Sequence, residues 1–245
     1  MQPVLTIITT SLRWTAELER SITSTRHTSV AEHIVCLAEG SAAAGQYREP
    51  HGARSLRIVV REGCSISAGF NECLALARDD AFLLVLNEGD IYYDASQLVE
   101  RLSGDSLLAG VVGRWRCCGG LRSARREVCY TNVLKHGLGF SHSALVVRSS
   151  FHRAFGLYPT DYKICMDYAL ILKSLKLGAL FEQHTSCVVE IEAPGVSSNL
   201  FATAKEHRRV VSEYVGLFNA YALWFRWVAS GLLVRVASFG VRLIK

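Results

Sequence analysis

The residues able to do chemistry in this chain are mostly acidic, and they sit where apolar runs end. Val4 to Thr10 closes on Thr9 and Thr10, His33 to Ala38 runs into Glu39-Gly40-Ser41, and Ala81 to Leu86 stops at Asn87-Glu88-Gly89-Asp90. A further carboxylate, Asp167, opens a stretch of helical pattern. Carboxylates at strand ends suit a divalent ion that bridges a diphosphate, because Mg²⁺ and Mn²⁺ prefer hard oxygen ligands and need only one or two from the protein. At the start of a helix Asp167 can be a cap favoured by the helix dipole. Other chemistries lack their signatures. There is no GxGxxG after the first apolar run and no GxxxxGK[ST]. Gly139-Phe-Ser-His-Ser143 and Gly63-Cys-Ser-Ile-Ser67 each miss the second glycine of a nucleophile elbow.

The elements that must carry these residues follow from periodicity. Strands are expected at Val4 to Thr10, His33 to Ala38, Ser55 to Arg61 and Ala81 to Leu86, with helices at Thr15 to Arg26 and Ile66 to Arg78. Strands alternating with helices predict an α/β domain with a mixed, mainly parallel sheet, whose ligands collect at the carboxyl ends of the strands. Beyond residue 100, strands are expected at Leu107 to Gly113, Ser143 to Arg148 and Ser186 to Glu192. A Gly- and Arg-rich connection spans Arg114 to Arg126, and a helix runs from Met166 to Leu177 before Gly178. From about Asn199 onward helical pattern dominates. The expected organisation is one domain over residues 1–200 and a helical, basic and aromatic extension over 201–245.

Composition narrows the class. The chain has 245 residues, half of them apolar, 27 Lys plus Arg against 22 Asp plus Glu, and a net charge of +5. That is enough apolar surface for a buried core and excludes a disordered chain. The Arg-rich segment carries Arg114, Arg116, Arg122, Arg125 and Arg126 without the interleaved aromatics of a single-strand nucleic-acid platform, so no nucleic-acid partner is expected. It reads as a solvated loop or as a cover over an anion. The eight cysteines form no CxxC, which points to buried free thiols rather than a metal or disulfide framework. With no signal-peptide pattern in Met1 to Ile8, the expected compartment is cytoplasmic. The segment from Leu217 to Lys245 holds Trp224, Phe225, Trp227 and Phe239 and no acidic residue, with cations at Arg226, Arg235, Arg242 and Lys245. Arginines interrupt any window of roughly 20 apolar residues, so an interfacial helix on an anionic membrane is favoured over a span. The alternatives are a helix docked on the domain or on a dimer partner.

The order of these segments resembles the family 2 inverting glycosyltransferases of GT-A fold, over residues 4 to about 215. Val4-Leu-Thr-Ile-Ile-Thr-Thr10 is similar to the family's first strand. Cys36-Leu-Ala-Glu-Gly-Ser41 stands where the family has Asp-Asp-Gly-Ser after two apolar residues, with Ala38 replacing one aspartate. Gly69-Phe-Asn-Glu-Cys-Leu-Ala-Leu-Ala77 resembles its Ala-x-Asn-x-Gly-x-x-x-Ala helix, and Leu84-Val-Leu-Asn-Glu-Gly-Asp-Ile-Tyr92 its acidic metal stretch. His142, Arg148, Gly156-Leu-Tyr158 and Asp161-Tyr-Lys-Ile-Cys-Met-Asp-Tyr168 follow its closing pattern.

The resemblance implies transfer of a sugar from a nucleoside-diphosphate sugar, of UDP type, to a hydroxyl acceptor with inversion. The implied setting is cell-surface polysaccharide or glycolipid synthesis at the inner face of the plasma membrane, with an acceptor that can be lipid-linked and a possible homodimer. It implies Asp167 as the general base. Thr9, Thr10, Glu39, Asn71, Asn87, Glu88, His142 and Arg148 are implied at the nucleotide-sugar. Asp90 and Glu88 are implied as ligands of a divalent Mn or Mg, although Gly89 replaces the decisive aspartate. Each has a plainer reading. Glu39 and the 87–90 tetrad can be solvated turns, His142 a hydrogen-bonded core histidine, and Arg148 a surface ion pair. Gly89 and Ala38 also leave open a non-catalytic nucleotide-sugar-binding or scaffolding relative.

Overall fold

The structure is a computed structural model that describes residues 4–26, 29–40, 55–191 and 199–225. Its first half alternates as the periodicity predicts: β1 (Leu5–Ser11), α1 (Ala16–Ser24), β2 (Val30–Leu37), β3 (Ser55–Val60), α2 (Ile66–Leu76) and β4 (Phe82–Val85). The second half comprises β5 (Ile91–Tyr92), α3 (Ser96–Ser103), β6 (Leu108–Cys117), β7 (Gly120–Arg122) and α4 (Tyr130–His136). These are followed by β8 (Leu145–Arg148), α5 (Ser149–Phe155), α6 (Met166–Lys176), β9 (Leu180–Ile191) and α7 (Leu200–Val215). A helical stretch at 217–225 follows α7.

Among the described residues the strands form one sheet in the order β3-β2-β1-β4-β8-β6-β9-β5, with β7 paired to β6. Strands β3, β2, β1 and β4 are mutually parallel. β8 enters antiparallel between β4 and β6, while β6 and β9 run parallel. This is the mixed, mainly parallel α/β architecture that was expected. Successive residues of the central strands serve opposite faces, as a strand period of two requires. Ile8, Leu83 and Val85 join the core under α2, α4 and α6, whereas Ile7, Leu84 and Leu86 join Leu98 and Leu102 of α3 on the other side. Burial on both faces explains why the strands read as continuous apolar runs. α7 adds Val210 and Val211 to the first of these cores. Helix α7, at the start of the expected 201–245 extension, thus packs on the domain.

Two expectations change. The segment 114–126 is not a loop throughout. Arg114 and Arg116 lie in β6, which turns back at Cys118 and Gly119 into β7 with Trp115 opposite Arg122. Cys118 and Gly119 have φ of 52° and 73°, the left-handed pair of a tight two-residue hairpin. The short elements α3, α4 and α5 were not anticipated, because each spans about two turns and shows too little periodicity to read. The residues of the aromatic tail beyond 225 lie outside the described residues.

Local chemistry sets the helix starts. Thr15, Ser65 and Asn199 are side-chain N-caps of α1, α2 and α7, accepting from the amides of Leu18, Ala68 and Ala202 at 3.1, 3.2 and 3.2 Å. One glycine sets how closely α2 approaches the sheet. A Cβ at Gly69 would lie 2.8 Å from Thr10 Cγ2 and 3.3 Å from Thr10 Cβ. Thr10 is β-branched and cannot swing aside freely. Gly69→Ala should therefore lower stability by about 1–2 kcal/mol despite the better helix propensity of Ala. Urea unfolding checks this, with an unchanged or raised midpoint contradicting the close approach.

Candidate active site

The tetrad after β4 forms a tight turn closed by the Asp90 amide donating to Asn87 O at 3.1 Å. Gly89 sits at φ +90°, a region that a side chain at this position would strain. Its amide donates to Ser21 Oγ of α1 at 2.9 Å. The two carboxylates of the turn are held by separate sets of donors. Glu88 accepts from Ser11 Oγ at 2.7 Å and from the Thr15 hydroxyl. Asp90, only 4% exposed, accepts from Ser143 Oγ at 2.7 Å, and the Asn87 amide lies 3.4 Å from the same oxygen. Gly89 offers no third donor, and no group of three or more His, Cys, Asp or Glu side chains able to hold a metal occurs among the described residues. Ser and Thr hydroxyls orient both carboxylates, and each carboxylate keeps lone pairs with which it could hold a divalent ion.

The turn connects to Tyr158 through two adjacent residues. Ser143 bonds Asp90 and also lies 2.9 Å from Asn87 Nδ2. Its neighbour His142 reaches the other way, with Nε2 2.9 Å from the Tyr158 hydroxyl. The His142 ring meets Phe70 edge-on at 6.3 Å and Tyr158 at 5.5 Å. Burial lowers its pKa to about 4, so in the free protein the imidazole is neutral at ordinary pH. His142, expected at the nucleotide-sugar, is held by Tyr158. Behind it a cavity of about 10 Å³, lined by His142, His152, Tyr158, Ile8, Val85 and Leu170, has room for roughly one water.

Asp167 is the second residue of α6. Its carboxyl is half-buried, and burial raises its pKa to about 6, against the opposing pull of the Tyr168 amide, which donates to Oδ1 at 2.7 Å. Burial first, and then the Asp167 charge, push the Tyr158 hydroxyl upward, which places the two groups in each other's field. A carboxyl that titrates near neutral pH beside a neutral His–Tyr pair can accept a proton from a hydroxyl brought against it.

The other expected site residues fall in different places. The Asn71 side chain bonds the Tyr158 backbone twice, donating to its carbonyl at 2.9 Å and accepting from its amide at 3.0 Å. It thus positions Tyr158. Thr9 is fully buried, donating to Leu86 O at 2.7 Å and paired with His33 at 2.9 Å, so it is part of the core. Thr10 packs against α2 at Gly69. Glu39 is exposed just past β2, where its amide donates to Leu12 O at 2.8 Å. Arg148 is not near the others. It pairs with Phe82 at the start of β4, the opposite edge of the sheet, and donates to the carbonyls of Leu102, Asp105 and Leu108 around the end of α3. Its expected role at a nucleotide-sugar is therefore replaced by a helix C-terminal cap. Sequence reasoning gave no role to Tyr158, Ser143 or Glu206. The first lay inside a quoted motif, Gly156-Leu-Tyr158, and the others carry no local signal.

No protein-family model and no curated protein matches the sequence. Solved structures do match in shape. S. aureus TarS 1-349 superposes with a TM-score of 0.63 at 10% identity, covering 91% of this chain and 70% of that one. The same TarS fragment in complex with UDP gives 0.60 at 10% identity, covering 93% and 71%. In complex with UDP-GlcNAc it gives 0.63 at 10% identity, covering 93% and 72%. Against a longer TarS chain, the protein spans 42% of the length. The chain thus shares its GT-A-type α/β fold with TarS.

Proposed function

We propose that the protein transfers a sugar from a UDP-type nucleoside-diphosphate sugar to a hydroxyl acceptor. The carrying observation is Asp167, a half-buried carboxyl in the first turn of α6 with a pKa raised to about 6, whose charge is felt at the Tyr158 hydroxyl that bonds His142. The shared fold with a protein captured with UDP and with UDP-GlcNAc supports the donor class. In the reaction the acceptor oxygen attacks the anomeric carbon, and its proton passes to the Asp167 carboxylate. The bond from that carbon to the diphosphate oxygen breaks, and UDP leaves with the electron pair. Attack from the face opposite the leaving group inverts the anomeric centre, in keeping with the family resemblance. Asn71 and His142 serve this chemistry by fixing Tyr158. No step is routed through a metal; Glu88 and Asp90 are the carboxylates that would hold a divalent ion, which would help the diphosphate depart.

A second reading, a nucleotide-sugar-binding relative without transfer, is favoured by one observation. Gly89 stands in a backbone conformation fitted to glycine, where the family has its decisive aspartate. UDP-GlcNAc and a pool of lipid-linked acceptors distinguish the two by product mass. Asp167→Asn should cut transfer by about 10²–10⁴-fold while UDP affinity holds. A variant that transfers normally would remove Asp167 as the base, and a wild-type chain that binds UDP without transferring or hydrolysing donor would establish the binding-only reading. The pH profile gives an independent check. The base works ionised, so wild-type turnover should rise as pH increases through about 6. A flat profile between pH 5 and 7, taken as a range about that value, would contradict the assignment.

The proposed setting is the inner face of a membrane, reached by peripheral attachment. No helix among the described residues is long and apolar enough to cross a membrane. In the helical stretch 217–225, however, Leu217, Phe218 and Phe225 are 64%, 87% and 71% exposed. Large exposed apolar groups leading into the acid-free, arginine-bearing sequence 226–245 suit an anionic lipid surface. Sedimentation with phosphatidylglycerol vesicles should pull the protein down, and Phe218→Asp with Phe225→Asp should release it. Equal recovery of the wild type and double variant would count against this surface.

A further inference from the structure

Helix α7 supplies none of the motif residues, yet three of its side chains reach the segment that delivers Asp167. Glu206 accepts the amides of three successive residues, Lys163 at 3.1 Å, Ile164 at 2.8 Å and Cys165 at 2.9 Å. Successive N–H groups converging on one carboxylate form an anion nest. This nest lies directly before α6, where the positive end of the helix dipole adds to the attraction. Further along α7, Arg209 pairs with Asp161 at 2.5 Å and lies 4.7 Å over the Tyr162 ring. Glu213 accepts from the Tyr162 hydroxyl at 2.5 Å. Positions 206, 209 and 213 share one helix face, and that face is turned to residues 161–165. From the other side, Ser67 of α2 donates to Tyr162 O at 3.2 Å.

We infer that Glu206 is a positioning residue for Asp167, its carboxylate fixing the 163–165 backbone so that α7 completes the active site; this rests on Asp167 being the base. The neighbouring charges act in one direction. Cys165 is raised by burial and then by the charges of Asp167 and Glu206, so its thiol lies within the field of both carboxylates. Tyr158 is the other titratable group shown to sense Asp167. Removing the Glu206 charge takes the charged acceptor from three amides and loosens the wall that buries Asp167; because burial is what raises the Asp167 pKa, the looser wall favours the ionised form.

Carbon-13 labelling of the aspartate carboxyls in the full chain follows Asp167 directly, with its resonance assigned by its loss in Asp167→Asn. In Glu206→Gln the Asp167 midpoint should fall by roughly one pH unit. UDP-GlcNAc turnover should fall by roughly ten- to a hundredfold, with UDP affinity within about twofold of wild type. If Glu206→Gln does not fold, Glu206→Asp keeps the charge but withdraws it by one methylene, and should lower turnover in the same sense. Tyr162→Phe removes the Glu213 bond and leaves the nest. It should lower thermal stability without moving the Asp167 titration. An Asp167 midpoint indifferent to Glu206, or one moved as far by Tyr162→Phe, would reduce Glu206 to a structural strut. The two assignments fail separately. Normal transfer by Asp167→Asn sinks the base and leaves the titration result standing, whereas an unmoved titration sinks the positioning role and leaves the base.

Discussion

The site depends on how one irregular stretch of backbone is satisfied. Between α5 and α6 the chain runs through residues 157–164 without regular structure, so no ladder or helix supplies partners for its amides and carbonyls. Side chains supply them instead. Asn71 takes both polar groups of Tyr158, Ser67 takes the carbonyl of Tyr162, and Glu206 takes three consecutive amides. Hydrogen bonds to a charged acceptor are stronger than neutral ones, and leaving a buried amide unmade is costly. A segment held in this way can present Asp167 in one orientation although it belongs to no sheet or helix. α2, from the first half of the chain, and α7, from its end, form the two sides of the same clamp.

That clamp also accounts for the electrostatics. A carboxyl on an open loop would titrate like a free aspartate. Crowding at the start of α6 desolvates Asp167, and the neutral His142–Tyr158 pair offers no cation to offset this. The acidic turn after β4 shows the opposite outcome for similar residues. There, Ser11, Thr15 and Ser143 donate hydroxyl hydrogens to Glu88 and Asp90, and the carboxylates serve to tie α1, β4 and the start of β8 together. The same residue type thus serves as a candidate base at one strand edge and as a structural acceptor at another. The difference lies in the donors each one meets.

The strands of the first half were legible because a sheet covered on both faces needs near-continuous apolar runs, and Leu5 to Ile8, interrupted only by Thr6, and Phe82 to Leu86 are such runs. Asp167 was legible as a residue of interest because it stands in the first turn of a strongly patterned helix. Less could be read about the residues around it. Neither Asn71, inside the α2 pattern, nor Arg148, at the end of an apolar strand, announces its partners in the sequence. Their fates differ because Asn71 faces the Tyr158 backbone across the sheet edge, whereas β8 runs antiparallel and carries Arg148 to the other end. Strand direction in a mixed sheet is a long-range property, with no local pattern to announce it.

Residue types and periodicity by themselves determined the α/β class, the edge where polar strand ends collect, and the carboxyl at the head of α6. These are short-range consequences of burial and of turn and cap chemistry, and they can be read within a window of ten or so residues. The tertiary structure alone decided that Glu88 and Asp90 are engaged by hydroxyls, that His142 is neutral, that Arg148 caps α3, and that Glu206 grips the approach to Asp167. Each of those facts joins residues about 40 or more positions apart, or depends on burial by distant elements. Hydrogen-bond partners and desolvation are properties of the packed chain, and no stretch of sequence carries them alone.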